Sequence, residues 1–258
     1  MTIPDLLAAL SGAAVGFVLA LIGGGGSILA TPALLYVVGV SNPHMAIGTS
    51  ALAVSVNAFA NFLNHLRRGN VKWKCAVLFG GAGVVGAAIG AGVGKATDAQ
   101  ILLPLFALLM IVVGIAMLLP RKQEGDGNVE LNARNAPKLV LYGLGVGALS
   151  GFFGIGGGFL IVPGLIAATG MTMLQAIGSS LFSVGSFGAT TALSYAADGL
   201  IDWRIALLFI GGGFLGGLLG AGLATRLSKQ RGTLQRVFAG VVFAVAAYML
   251  WRTLGPNT

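Results

Sequence analysis

Two glycine-rich segments, one in each half of the chain, contain the backbone groups best suited to bind a ligand. Each segment interrupts an apolar run, and a proline follows at Pro32 or Pro163. Consecutive glycines can turn their N–H groups towards one point, and the next helix adds its positive dipole end. This arrangement suits a small oxyanion, although a tight turn between closely packed helices is the alternative. The predicted anion-binding residues are Gly24, Gly25, Gly26, Ser27, Gly156, Gly157 and Gly158.

Small polar side chains at matching positions of the two halves could complete such a site. Thr49 and Ser50 correspond to Ser179 and Ser180. Hydroxyls and amides donate hydrogen bonds to an oxyanion and are tolerated inside a helix bundle, where a permanent charge is costly. Hydrogen bonds between helices are their alternative role. The predicted substrate-binding side chains are Thr49, Ser50, Asn57, Asn61, Ser179, Ser180 and Thr191.

The acidic residues and histidines limit how the movement of an anion could be coupled to protons or metal ions. All seven acids fall at the ends of apolar runs or in a polar stretch, so a buried proton-relay carboxylate is disfavoured. An anion leaving an inside-negative cytoplasm needs no such relay, since the potential contributes about 2.3 kcal/mol per charge per 100 mV. His44 and His65 lie at opposite ends of one apolar run. We therefore predict no metal site and no cofactor.

The composition is that of a multi-pass integral membrane protein. Of its 258 residues, 56% are hydrophobic and 9% are charged, and the mean hydropathy is +0.93. Apolar runs exceed the roughly 20 residues that cross a bilayer, leaving no room for a soluble catalytic domain. The net charge is +8, and the basic residues lie at the ends of these runs. This placement is typical of residues that orient a membrane protein, and it argues against nucleic-acid binding. No nucleophile has a base at the same depth, so we predict no enzyme.

The chain contains an internal duplication. Pro32 matches Pro163 at an offset of 131, and Trp73 matches Trp203 at an offset of 130. Residues 46–50 match residues 176–180 at the second offset. Agreement spread over so much of each half indicates two homologous repeats. We predict a first transmembrane repeat at 1–119, a polar cytoplasmic linker at 120–137 and a second transmembrane repeat at 138–258.

The predicted fold is an all-α inverted repeat. Residues 28–40 are too short to cross a membrane, so the first two segments of each half are predicted to form a glycine-broken re-entrant pair. Three transmembrane helices follow, and because each half then crosses an odd number of times, the second half is inverted. This arrangement gathers most lysines and arginines on the cytoplasmic side of the cell membrane and puts the amino terminus outside. If residues 3–40 instead cross once, the chain has eight transmembrane helices and a weaker charge bias.

Small residues recur at every fourth position in two equivalent helices. This spacing lets helix backbones approach closely, so we predict packing faces inside the lipid bilayer. The same faces could serve a homodimer, which the sequence leaves open. The residues concerned are Ala82, Gly86, Gly90, Gly94, Gly212, Gly216, Gly220 and Ala224.

These motifs resemble the TauE/SafE family of membrane anion exporters. The likeness rests on residues 23–27 with Pro32, on residues 46–50 and 69–73, and on their copies in the second half. It implies a small anionic substrate, sulfite or an organosulfonate such as sulfoacetate, exported across the bacterial inner membrane. Asn57 of the first half corresponds to Phe187 of the second half, so the two sides of a site would differ. A passive anion channel and a non-transporting partner or assembly protein are the alternatives.

Overall fold

The computed structural model describes residues 3–22, 24–118, 127–154, 158–227 and 231–254, and it is helical with no β-strand within those ranges. The all-α prediction is thereby confirmed. The first half contains α1 (Ile3–Ile22), a 3₁₀ helix (Gly24–Leu29), a one-turn α2 (Ala30–Pro32), a π-helix (Ala33–Val38), α3 (Pro43–Arg67), α4 (Trp73–Ala96) and α5 (Ala99–Leu118). The second contains α6 (Ala136–Phe153), α7 (Gly158–Thr169), α8 (Met173–Ala197), α9 (Trp203–Leu227) and α10 (Arg231–Leu254).

Capping residues set the helix boundaries at equivalent places in the two halves. The Asn42 side chain accepts hydrogen bonds from the first turn of α3, and Thr172 forms a capping box with Gln175 at the start of α8. The turns after α3 and α8 contain Gly69 and Gly199, both with φ near +70°. Only glycine adopts this backbone readily, so both helices end at the same point of the repeat.

Helix lengths separate spanning from short elements. Among the described residues, α1, α3, α4, α6 and α9 are the five helices long and apolar enough to cross a membrane. Helix α7 has 12 residues, or about 18 Å at 1.5 Å per residue. That is well short of the roughly 30 Å hydrocarbon core. Residues 24–38 form a similarly short helical stretch in the first half.

The first helix of each half packs along the fourth helix of the other. Gly86, Gly90 and Gly94 of α4 lie against the backbone of α6. Gly212, Gly216 and Gly220 of α9 lie against α1 in the same way. A β-carbon at any of these six glycines would approach a neighbouring backbone atom closer than real side chains do. The predicted packing faces are therefore contacts between the two halves, and the homodimer stays a prediction.

Helices α3 and α8 cross at the centre of the bundle. The Ser55 hydroxyl donates to the Gly185 carbonyl at 2.7 Å. On either side of this point, Gly48 lies against Leu200 and Gly178 lies against Asn70. Residue numbers therefore rise along α3 as they fall along α8, and the helices are antiparallel. Ser55 and Gly185 are 130 residues apart, so residues equivalent under the repeat offset meet at the crossing.

Replacing Gly90 by valine should disrupt the contact between the halves. The new side chain would meet the Ala148 carbonyl, and overpacking of this kind costs about 1–3 kcal/mol or more. Gly92→Val on the same helix is the control, because a β-carbon there has no atom within 4 Å. We expect the melting temperature in detergent to fall for Gly90→Val only. Equal melting temperatures for the two variants would contradict the assigned α4–α6 contact.

Candidate functional site

Two asparagines of α3 place amide groups inside the bundle. Asn57 and Asn61 are 2% and 6% exposed and face α9, where Gly213 and Gly217 leave room for their side chains. The Asn61 side-chain amide donates to the main-chain carbonyl of Asn57 at 3.0 Å. A β-carbon at Gly213 would clash with the Asn57 amide. The fold therefore keeps both predicted amides in contact with α9 of the opposite half.

A corresponding stripe on α8 faces α4. Ser183, Phe187 and Thr191 are spaced four residues apart, which puts them on one side of the helix, and all three are fully buried. Gly80 of α4 lies beside the Ser183 hydroxyl, and Gly83 leaves the space that the Phe187 ring fills. The Phe187 ring stacks on Phe79 with 6.3 Å between centroids. This stripe thus alternates a hydroxyl, an aromatic ring and a second hydroxyl.

Three buried serine and threonine hydroxyls have no hydrogen-bond partner in the described part of the chain: those of Ser150, Ser183 and Thr191. An unsatisfied buried polar group costs about 1–3 kcal/mol, so a water or ligand that bonds to it is stabilised there. Three groups at the ends of α3 and α8 share this property, namely His44 Nδ1, His65 Nδ1 and the Tyr195 hydroxyl.

Ser150 and Ser183 were not predicted as site residues. Their counterparts in the first half are Leu19 and Ala53, so a search for matching polar positions passes over them. The spacing of Ser183 with Thr191 was the available indication, because both fall on the helical stripe that contains Phe187.

The predicted hydroxyl pairs make structural hydrogen bonds. Thr49 accepts from the backbone N–H of Asp202 at 3.0 Å, and Ser179 accepts from that of Lys72 at 2.9 Å. The two bonds are equivalent under the repeat. They hold the turn before α9 and the turn before α4 to a helix of the opposite half. Thr49 and Ser179 lie near the starts of two antiparallel helices, so the two hydroxyls lie towards opposite ends of the pair rather than together.

The neighbouring serines are also bonded locally. Ser50 donates to the Ile47 carbonyl at 3.0 Å and pairs with the Thr31 hydroxyl at 2.8 Å. Ser180 donates to the Ile177 carbonyl at 2.8 Å. Their role as substrate ligands stays a prediction.

The glycine segments are only partly described. Gly24, Gly25 and Gly26 belong to the 3₁₀ helix, Gly26 lies against the α1 backbone and Ser27 is fully buried. Gly156 and Gly157 lie outside the described residues, and Gly158 begins α7. Gly154, with φ of +66°, ends α6 and packs against Ile47. The anion-binding role of these segments stays a prediction.

The interior of the described part contains almost no charge. Asp5 is the one buried side chain there among the aspartates, glutamates, lysines and arginines, and it accepts from Arg204 at 2.6 Å. A second ion pair joins Lys95 to Asp198. Both pairs link the two halves at the end of the bundle where α1 and α9 begin. The polar stripes of α3 and α8 are therefore electrically neutral.

Replacing Thr49 by valine should lower stability. The Asp202 N–H would lose its acceptor, at a cost of about 1–3 kcal/mol. Thr190→Val is the control, because the Thr190 hydroxyl only donates to a carbonyl of its own helix. We expect a lower melting temperature for Thr49→Val than for Thr190→Val. An unchanged value would contradict a stabilising role for this hydrogen bond.

Comparison with known proteins gives one consistent family. The model of the sulfite exporter TauE/SafE family matches residues 8–249. A probable membrane transporter protein of Xylella fastidiosa is 53% identical over 98% of both chains. The probable membrane transporter YunE of Bacillus subtilis is 27% identical over 83% of this chain and 86% of its own. No solved structure matches. The chain therefore belongs to the TauE/SafE family, a family of membrane transporters and not of enzymes.

Proposed function

We propose that this transporter exports a small sulfur oxyanion, sulfite or an organosulfonate such as sulfoacetate, from the cytoplasm. The family description supports the substrate class. The observation that carries the proposal is the neutral polar interior, in which Asn57, Asn61 and Thr191 are buried. Amides and hydroxyls donate to an oxyanion without the fixed charge that would hold it too tightly for release. Turnover requires weak, exchangeable contacts of this kind.

We propose that the two halves form an inverted repeat, each with a re-entrant pair and three transmembrane helices. The antiparallel crossing of α3 and α8 supports this, since an axis in the membrane plane makes equivalent helices antiparallel. An axis along the membrane normal would make them parallel, as the eight-helix alternative requires. The meeting of Ser55 with its counterpart Gly185 supports an axis at the crossing.

The charges support a cytoplasmic assignment for one end of this bundle. The turn between α3 and α4 is basic, with Arg67, Arg68, Lys72 and Lys74. The opposite end contains four acids, Asp5, Asp98, Asp198 and Asp202. Because cytoplasmic loops of membrane proteins are enriched in lysine and arginine, we infer an outside amino terminus and insertion in the bacterial inner membrane.

Membrane potential is the proposed driving force. We expect sulfoacetate efflux from proteoliposomes to follow an imposed potential and to be unaffected by a pH gradient. Each 100 mV supplies about 2.3 kcal/mol per charge. Flux that requires the pH gradient would instead implicate His44, His65 or protonation of the anion. Turnover far above carrier rates would favour a passive channel, and absent flux would favour a partner or assembly role.

The Asn57 amide provides a direct test of the interior site. Asn57→Leu keeps the side-chain size and removes the donor, and a hydrogen bond to a charged ligand contributes about 1.5–3 kcal/mol. We expect sulfoacetate flux to fall about 10- to 100-fold with an unchanged melting temperature. Asn64→Leu on the same helix, at a half-buried position, should keep its flux. Equal losses in both variants would contradict a specific role for Asn57.

A further inference from the structure

We propose that the substrate passes between α4 and α8, with one oxyanion subsite on each side of Phe187 and the Phe187–Phe79 pair as the barrier between them. This inference rests on the proposed export of anions, and it adds the α4–α8 side of the bundle to the Asn57 side, which faces α9. It assigns Ser183 to the cytoplasmic subsite and Thr191, with Ser150, to the outer one.

The register of α4 and α8 places these residues on one line of the interface between the two helices, here called the α4–α8 groove. Gly80 lies beside Ser183, and Gly83 lies beneath Phe187. Towards the other end, Lys95 of α4 pairs with Asp198, just after α8. The two helices therefore run parallel, and one turn beyond Phe187 the Thr191 hydroxyl lies level with Ala87. Gly80, Gly83 and Ala87 are the small residues of α4 at these levels.

The unpartnered hydroxyls indicate where a ligand binds in this groove. Ser183 and Thr191 are both fully buried, and neither hydroxyl has a partner among the described residues. They are eight residues apart, or about 12 Å along the helix. An oxyanion accepts a hydrogen bond from a hydroxyl, so each can hold the substrate in turn. The other hydroxyls beside the stripe, those of Ser186 and Thr190, donate to carbonyls one turn back.

Ser150 adds a second donor to the outer subsite. Its neighbours Gly147 and Gly151 pack against Gly83 and Ala87 of α4. Ser150 thus lies at the depth of Ala87, the same level as Thr191. Its hydroxyl is fully buried and unpartnered within the described ranges.

The aromatic pair closes the groove between the subsites. Phe187 and Phe79 are both fully buried, and the Phe187 ring occupies the space that a side chain at Gly83 would need. A hydrophobic ring at this point offers no hydrogen bond to replace the hydration of an anion. Rotation of the ring away from Gly83 would join the two subsites. The equivalent position in the first half is Asn57, which is polar, so the barrier belongs to the α4–α8 groove.

Thiol labelling tests this path without depending on the identity of the substrate. Cys75 is the single cysteine, so Cys75→Ala gives a background for Ser183→Cys and Thr191→Cys. The probe is 2-sulfonatoethyl methanethiosulfonate, a small anionic organosulfonate, added to one face of the membrane at a time. We expect Ser183→Cys to react from the cytoplasmic face and Thr191→Cys from the outer face. Adding Phe187→Leu should allow each to react from both faces.

The neighbouring hydroxyl positions supply matched controls. Ser186→Cys and Thr190→Cys should stay unreactive, because both lie outside the stripe and their hydroxyls donate to carbonyls of α8 itself. A cationic trimethylammonium reagent of similar size should label the groove positions at least tenfold more slowly than the anionic one. Labelling of the controls at the same rate, or unreactive groove positions in a folded protein, would overturn the proposed path.

Transport measured on the same chain separates the two proposals. Ser183→Ala and Thr191→Val should each lower sulfoacetate flux about tenfold, whereas Ser186→Ala and Thr190→Val should keep it. Labelling of the groove without any sulfoacetate or sulfite flux would refute the proposed substrate and keep the path. Flux without labelling would refute the path and keep the substrate.

Discussion

The fold depends on close backbone contact between the first helix of each half and the fourth helix of the other. Lipid tails are as apolar as the side chains, so burial in the membrane gives little reason for helices to associate, and packing has to supply it. The glycine faces of α4 and α9 provide that packing. In these contacts α4 of the first half packs on α6 of the second, and α9 of the second packs on α1 of the first. Each half therefore needs the other for its packing, and the central pair α3 and α8 is held in register from both sides.

Hydrogen bonds at the two ends of the crossing reinforce this register. Thr49 and Ser179 each hold the turn that precedes a helix of the opposite half, while Lys95 and Asp198 join the halves at the acidic end. At the middle of the crossing Ser55 is bonded to Gly185. On the side of α8 that faces α4, the hydroxyls of Ser183 and Thr191 have no partner among the described residues, and the Phe187 ring lies between them. The ends of the crossing are thus held by hydrogen bonds and an ion pair, while the α4–α8 side keeps polar groups that a ligand or water can bond.

Much of the fold could be predicted because it depends on local pattern. The spacing of small residues predicted the packing faces, and long apolar runs predicted the helices. Asn57, Asn61 and Thr191 were predicted to be polar groups inside the bundle, and all three are buried. The partners of Thr49 and Ser179 could not be predicted, because they lie 153 and 107 residues away in the chain. Ser150 and Ser183 were missed because their counterparts are apolar.

The sequence by itself determined the membrane setting, the helical class, the duplication and the polar residue types available inside the bundle, because hydropathy and spacing are properties of the chain. Only the tertiary structure decided which hydroxyls are already bonded, which helices pair across the halves and that Phe187 lies between two hydroxyls that have no partner among the described residues. The physical reason is that a hydrogen bond or a stacked ring depends on distances between residues far apart in sequence. Those distances are set by the packing of whole helices and not by any local pattern.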